Sequence, residues 1–185
     1  MALTESNMLP LGNIAPEFSL PDCVTNEILS LDLLKSDVAT VIMFICNHCP
    51  YVIHVNPEIV RLANDYIPKG VSFIAISSND VERYPEDAPD KMRWIAEREK
   101  YPFPYLYDED QSVAKAYDAA CTPDFYVFDS KMQLAYRGRL DDSRPKTDKP
   151  LTGKDLRAAL DAVLSGNLPD SNQYPSVGCN IKWKV

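Results

Sequence analysis

The feature that most constrains this chain is a Cys-x-x-Cys motif, Cys46-Asn47-His48-Cys49, which stands where one hydrophobic pattern changes into another. A run of apolar and β-branched residues over 38–45 precedes the motif and is typical of a buried strand. Apolar residues then recur at helical spacing over 52–66. A thiol where a strand runs into a helix lies among unpaired backbone N–H groups and at the positive end of the helix dipole, and both favour the nucleophilic thiolate. The sequence therefore predicts a redox-active pair in which the pKa of Cys46 lies below the ~8.5 of an ordinary cysteine.

Length and charge narrow the class of protein. A chain of 185 residues suits a single domain, which we predict to span 1–185, with an N-terminal arm over 1–16 and a C-terminal tail over 166–185. The net charge of −8 argues against binding to nucleic acid or to acidic membranes. No apolar run approaches the ~20 residues that a membrane helix needs, and the first residues lack the basic and apolar regions of a secretory signal. We therefore expect a cytoplasmic protein with no nucleic-acid or membrane partner.

The number of cysteines points to redox chemistry. Five is an odd count, and Cys23, Cys121 and Cys179 each stand alone in the sequence. This pattern does not match the disulfide framework of small secreted proteins, whereas a Cys-x-x-Cys beside a strand–helix pattern in an intracellular chain is typical of a redox motif.

The other hydrophobic patterns predict strands and helices in alternation. Predicted strands cover 17–20, 27–31, 39–45, 71–77, 125–128 and 133–140. Predicted helices cover 47–67, 92–100, 110–117 and 153–164. Pro57 should kink the first of these helices, and Thr152 can cap the last. The order of the elements predicts an α/β fold with a mixed central β-sheet flanked by helices.

Several motifs resemble those of a known family. Thr122-Pro123 stands immediately before the apolar stretch 125–129, the opening over 12–22 reads Gly-Asn-Ile-Ala-Pro-Glu-Phe-Ser-Leu-Pro-Asp, and the tail over 175–183 reads Pro-Ser-Val-Gly-Cys-Asn-Ile-Lys-Trp. With the Cys-x-x-Cys motif, these resemble the redoxin (AhpC/TSA) branch of the thioredoxin fold, in particular its peroxiredoxin-like and TlpA-like thiol–disulfide oxidoreductases. The resemblance covers nearly the whole chain. It implies a thioredoxin-like fold with an N-terminal hairpin extension and a C-terminal tail.

The resemblance also implies roles for individual residues. Cys46 would attack a disulfide to form a mixed disulfide, and Cys49 would resolve it. The partners would be disulfides or thiols of proteins or small molecules. The Thr122-Pro123 bond would be cis and face the two sulfurs, so that the backbone of Thr122 could bind an extended substrate as a partial β-pairing. The chemistry calls for an unidentified reductant, and we predict no cofactor and no bound metal.

Asn47 and His48 complete the predicted redox centre. His48 precedes the second cysteine, as it does in oxidising members of the thioredoxin superfamily, where a donor or charge stabilises the reduced thiolate. The alternative is a solvent-facing histidine with little effect. The buried Asp that assists the resolving cysteine of thioredoxin would align near Thr40, which cannot act as a base, and the sequence identifies no other group for this proton.

Two alternative functions compete with thiol–disulfide exchange. A thiol peroxidase using Cys46 would carry Pro-x-x-x-Thr-x-x-Cys, but the positions before Cys46 hold Met43 and Ala39. Arg137 and Arg139 could supply a guanidinium. A metal carrier or a redox-sensing binding protein is the other alternative, although structural zinc needs four ligands and the chain has only His48 and His54 as histidines.

Two single cysteines are candidate auxiliary thiols. Cys121 lies two residues before Pro123, so its loop should approach the active site, although a buried small side chain is the commoner role of such a cysteine. Cys179 lies in the tail, which could fold back over the domain. A regulatory or second resolving role for either residue is a hypothesis that depends on this expected proximity.

Overall fold

The computed structural model describes residues 3–185, and a five-stranded mixed sheet lies at its centre. The strands are β1 (Leu3–Glu5), β2 (Ser19–Pro21), β3 (Ile28–Ser30), β4 (Ala39–Phe44), β5 (Val71–Ser77), β6 (Tyr105–Tyr107), β7 (Cys121–Thr122), β8 (Asp124–Asp129), β9 (Leu134–Gly138) and β10 (Val177–Asn180). The helices are α1 (Leu31–Leu34), α2 (Pro50–Tyr66), α3 (Pro89–Arg98), α4 (Ser112–Ala116) and α5 (Lys154–Leu164). Short 3-10 turns cover Ile67–Lys69 and Pro85–Asp87. No helix in residues 3–185 combines the length and apolar character needed to cross a bilayer.

The central sheet has the strand order β6-β5-β4-β8-β9. β4 pairs with β5 in parallel and with β8 antiparallel, and every residue of β4 is buried. Its side chains alternate between two cores: Val41 and Met43 pack on the side of α2, α3 and α5, and Ile42 and Phe44 pack against the N-terminal hairpin and α4. Burial on both faces explains the unbroken apolar run before the motif. The predicted α/β fold with a mixed sheet between helices is confirmed.

The N-terminal hairpin is also confirmed, since β2 and β3 pair antiparallel. Two helix starts differ from their predictions. Helix α2 begins at Pro50 rather than near Asn47, because proline is pre-organised for the first helical position and leaves Cys49 as the N-cap. Helix α5 has Gly153, in a left-handed conformation, as its N-cap, and Thr152 contributes only a 3.3 Å hydrogen bond that its hydroxyl accepts from the Lys154 N–H.

A second, three-stranded sheet with the order β1-β10-β7 joins the arm and the tail. The prediction of an irregular arm over 1–16 is wrong at β1, and residues 1 and 2 lie outside the described residues. The tail over 166–185 contributes β10, which pairs antiparallel with β1 on one side and with β7 on the other. Strands of two to four residues are too short to show an alternating pattern, so the sequence gives no local signal for this sheet. The second sheet brings the tail against the Cys-x-x-Cys motif.

Candidate redox site

The motif occupies the turn between β4 and α2. β4 ends at Phe44, and the Ile45 N–H still donates to the Ile76 carbonyl of the neighbouring strand. Pro50 then starts the helix. This strand–turn–helix path holds Cys46 and Cys49 within one rigid turn at the edge of the core.

The two motif sulfurs both face the loop that carries Pro123. Cys46 Sγ lies 3.5 Å from the Thr122 hydroxyl, and Cys49 Sγ lies 3.4 Å from the Thr122 carbonyl oxygen. The Thr122-Pro123 bond is cis. The predicted juxtaposition of both cysteines with this loop is therefore present.

The two thiols differ in access. Cys49 is completely buried, whereas Cys46, with 3% of its surface exposed, reaches the floor of an open groove between α2 and α3. This substrate groove, as we call it, has a volume of about 340 Å³ and is lined by Cys46, Asn47, Val52, Ile53, Asn56, Pro57, Ile95, Arg98, Glu99 and Tyr101. Cys46 is thus the motif sulfur that a molecule in the groove would meet.

A third sulfur completes the cluster. Cys179 Sγ of β10 lies 2.8 Å from Cys49 Sγ, and Cys179 is the β-pairing partner of Thr122. All five cysteines are reduced thiols. The tail strand β10 pairs with the Thr122 backbone, so that edge of β7 is occupied in this structure, and substrate binding by Thr122 stays a prediction.

The surroundings of the two motif thiols shift their pKa values in opposite directions. The hydrogen bond from Cys46, together with those from the Cys179 thiol and the Val52 and Cys179 N–H groups, lowers the pKa of Cys49 to about 5, against the opposing effect of burial. Its hydrogen bond to Cys49, burial and the nearby Asp87 carboxylate raise the pKa of Cys46 well above its ordinary value. The prediction of a lowered pKa at Cys46 is therefore wrong in direction. On these opposite pKa shifts, we expect Cys49 to be the first thiol of the pair to lose its proton.

These pKa shifts predict an acid-stable thiolate. Absorbance near 240 nm, followed as the reduced protein is acidified, should lose the thiolate signal with a midpoint near pH 5, the lowered pKa of Cys49. An ordinary cysteine would lose the signal near pH ~8.5. The Cys121→Ser variant should keep the low midpoint, whereas Cys49→Ser should raise it. A wild-type midpoint above pH 8 would contradict the arrangement of donors around Cys49.

His48 faces protein rather than solvent. Its Nδ1 lies 2.7 Å from the Asp87 Oδ2 of a completely buried carboxylate, and its ring stacks on Tyr84. The hydrogen-bonding contact with Asp87 raises the pKa of His48, and His48 in turn helps to lower the pKa of Asp87 against the effect of burial. The alternative that His48 faces solvent is therefore wrong, whereas its effect on the redox centre stays a prediction.

Asp87 is the site residue that sequence reasoning missed. Its Oδ1 accepts from the N–H groups of Asn47 and His48, at 2.8 and 3.3 Å, and its Oδ2 accepts from the Asn79 side chain. The stretch 79–90 is polar and acidic and holds two prolines, which is typical of a loop, and nothing local in the sequence marks one of its carboxylates as buried. Asp87 fixes the turn that carries the thiols.

The side chain of Asn47 also helps to hold the motif in place. Its Nδ2 donates to the Glu86 carbonyl at 2.9 Å, and its Oδ1 accepts from the buried Tyr105 hydroxyl at 3.0 Å. The predicted site residue therefore links the motif to the 79–90 loop and to β6. Its side-chain contacts do not include either motif sulfur.

Three side chains offer ligand atoms to a metal ion. Atoms of Cys46, His48 and Asp87 lie within 4.8 Å of one another. The close ion pair between His48 and Asp87 already engages two of these atoms, and a structural zinc site needs four ligands. The arrangement explains the positioning of His48 without an ion.

The other candidate residues lie away from the thiols. Arg137 donates to the Leu9 carbonyl and to Gln173, and Arg139 pairs with Asp155 at 2.6 Å, so the structure commits both guanidinium groups elsewhere. His54 contacts Ser143 at 2.6 Å. The Cys121 thiol contacts the carbonyl oxygens of Pro123 and Ser176, at 3.8 and 3.9 Å. Burial raises the pKa of Cys121, which favours a packing role for it.

Comparison with known proteins places this site in a family. The family model described as the AhpC/TSA family matches residues 11–137, which include the motif, Asp87 and Thr122-Pro123. The chain belongs to the AhpC/TSA family. The predicted redoxin relationship is thereby confirmed.

Solved structures show the same fold over the whole of this AhpC/TSA chain. An uncharacterized conserved protein from Geobacillus kaustophilus is 62% identical, with a TM-score of 0.98 over 100% of this chain and 97% of its own. A hypothetical protein from Sinorhizobium meliloti 1021 is 44% identical, with a TM-score of 0.96 over 98% of this chain and 99% of its own. The thioredoxin domain of a thiol-disulfide oxidoreductase from Bacteroides vulgatus is 17% identical, with a TM-score of 0.59 over 74% of this chain and 90% of its own, and shows the fold alone. No curated protein matches the sequence.

Proposed function

We propose that the protein is a thiol–disulfide oxidoreductase that acts through Cys46 and Cys49. The observation that carries the proposal is that both motif sulfurs contact Thr122 of the cis-proline loop, with Cys46 lining the substrate groove. Two adjacent thiols with unequal proton affinity and unequal access suit sequential attack and release. Family membership supports the same chemistry.

Transfer of the Cys46 proton to Cys49 would prepare Cys46 for attack. When the proton moves to Cys49, the Cys49 S–H can donate to the Thr122 carbonyl, and the Thr122 hydroxyl can donate to the Cys46 thiolate. Thr122 therefore stabilises the form in which the groove-facing sulfur is the nucleophile. The His48–Asp87 pair holds the turn in place beside Cys46.

The exchange balances without a cofactor. The Cys46 thiolate attacks one sulfur of a substrate disulfide and expels the other as a thiolate, which takes the proton from Cys49. The Cys49 thiolate then attacks Cys46 Sγ and expels the second substrate thiolate. The substrate disulfide has been reduced to one thiol and one thiolate, and the Cys46–Cys49 disulfide has formed. The reverse sequence would oxidise a dithiol.

The substrate groove suggests the size of the substrate. Its volume of about 340 Å³ lies at the lower end of the ~300–1,000 Å³ typical of ligand sites. Its walls combine apolar surface from Ile53 and Ile95 with the polar side chains of Asn56 and Arg98. Such a groove would accommodate a small-molecule disulfide or the side chains around a cysteine of an extended peptide.

Stopped-flow kinetics tests the proposal against the peroxidase alternative. We expect the reduced protein to react quickly with a model disulfide such as bis(2-hydroxyethyl) disulfide and to react with hydrogen peroxide at about the rate of an ordinary thiolate. The physical reason is that Arg137 and Arg139 are paired away from the thiols, that Arg98 in the groove wall is paired with Glu99, and that Met43 and Ala39 occupy the positions of the peroxidase hydroxyl and proline. Cys46→Ser should abolish the fast phase, and Cys23→Ser should not. Peroxide oxidation orders of magnitude faster than that of a simple thiol, with no disulfide reaction, would overturn the proposal.

A further inference from the structure

Cys179 of the tail strand β10 lies beside the motif thiols, but the exchange proposed above does not use it. Cys179 Sγ is 2.8 Å from Cys49 Sγ, whereas a disulfide bond measures ~2.05 Å, so a small displacement would join the two sulfurs. Cys49 also hydrogen bonds Cys46. Cys49 is therefore the sulfur common to both contacts, with one thiol partner on the motif and another on the tail.

The backbone around Cys179 holds it in this place. β10 pairs with Thr122 through Cys179 itself and with Cys121 through Asn180, and the Ile181 N–H donates to the Ala120 carbonyl at 3.0 Å. On the other edge, Leu3 of β1 pairs with Cys179. Strand pairing on both edges of β10 therefore fixes Cys179, and its sulfur is held within reach of Cys49.

Resting on the proposed function, we infer that Cys179 is a third redox thiol that takes over the disulfide from Cys46 through Cys49. The step starts from the Cys46–Cys49 disulfide. Cys179 sulfur attacks Cys49 Sγ, the S–S bond to Cys46 breaks, and the proton of Cys179 passes to the departing Cys46 sulfur. One disulfide is lost and one is formed, so no further oxidant is needed.

The transfer gives the site a second oxidised state. In the first state, the disulfide includes the groove-facing Cys46. In the second state, Cys46 is again a thiol at the floor of the substrate groove, and the Cys49–Cys179 disulfide lies behind it under the tail. Both sulfurs of this second disulfide are buried, so a thiol reductant would reach it once the tail strand β10 opens.

Disulfide mapping of the unmodified chain tests this inference. The reduced protein is treated with one equivalent of bis(2-hydroxyethyl) disulfide, remaining thiols are blocked with N-ethylmaleimide at low pH, and the protein is digested with trypsin without reduction. Cys46 and Cys49 share the tryptic peptide 36–61, Cys179 lies in 158–182 and Cys121 lies in 116–131. A Cys46–Cys49 disulfide is therefore internal to one peptide, whereas a Cys49–Cys179 disulfide links two.

We expect peptides 36–61 and 158–182 to appear cross-linked in an amount comparable to the internally oxidised 36–61 peptide. Cys179→Ser should abolish the cross-link and leave the internal disulfide, and Cys121→Ser, on the neighbouring strand, should leave both unchanged. Oxidation that yields only the internal disulfide would overturn the role of Cys179 while supporting the proposed function. A failure of the model disulfide to oxidise either peptide would count against the proposed function itself, and with it this inference.

Discussion

Substitution of Cys49 with serine is expected to trap the protein as a mixed disulfide with its substrates. Cys46 keeps its access to the groove, and a serine hydroxyl can donate to the Cys46 thiolate, so the first attack should persist. The attack that releases the substrate is lost, because the sulfur that shares a hydrogen bond with Cys46 is gone. The lifetime of the mixed disulfide should rise by orders of magnitude, as measured on non-reducing gels and by intact-protein mass spectrometry.

Cys46→Ser is the matched control, because it removes the groove-facing sulfur and keeps the buried one. Little trapping is expected, and turnover of the model disulfide should fall to the uncatalysed background. The opposite result, with mixed disulfides in Cys46→Ser and none in Cys49→Ser, would make Cys49 the nucleophile. The lowered pKa of Cys49 would then outweigh its burial.

Gly178→Ala is expected to lift the tail strand from the redox site. A Cβ at position 178 would lie 1.9 Å from the Thr122 carbonyl oxygen and 2.8 Å from its carbonyl carbon, which is backbone that cannot rotate away. Strand β10 must therefore move and lose pairing with β7. We expect alkylation of the motif thiols by iodoacetamide to accelerate at least ten-fold, and the free energy of unfolding to fall by about 1–3 kcal/mol or more, as for other overpacked sites.

Gly166→Ala provides the control in the same tail. Its Cβ would meet nothing within 4 Å, although its positive φ of 74° makes an alanine strained. This variant should lose some stability without a change in alkylation rate. Equal alkylation rates for wild type and Gly178→Ala would show that β10 does not restrict access to the thiols.

The parts of the fold that follow from local pattern could be predicted from the sequence. The buried strand before Cys46 and the helix after it are consecutive, so hydrophobic spacing places the motif at their junction, although it set the helix start at Asn47 and not at Pro50. The hairpin of β2 and β3 follows from two short strand patterns that are close in sequence, and the loop at Thr122-Pro123 follows from its proline motif. Family resemblance supplied what spacing alone could not, namely that this loop faces the motif.

Asp87, which the sequence missed, and the position of Cys179, which the sequence left as a hypothesis, both depend on contacts that are distant in sequence. Asp87 lies 40 residues from the backbone N–H of Asn47 that it accepts from, and Cys179 lies 130 residues from Cys49. No periodicity marks either partner. The pKa prediction for Cys46 is wrong for a related reason. It rests on a single thiol at a helix start, whereas the N-cap residue is Cys49, and the interaction with Cys49 raises the pKa of Cys46.

The three-stranded sheet over the site has a dynamic consequence. β1, β10 and β7 contribute only three, four and two residues, so this sheet can open locally without disrupting the five-stranded core. The amide protons of β1 and β10 would then exchange with solvent through a sub-global opening whose free energy is smaller than that of complete unfolding. Thiol chemistry at Cys49 and Cys179 would be gated by the same opening. Conditions that favour partial fraying, such as mild warming, would raise the reactivity of these buried sulfurs well before the protein melts.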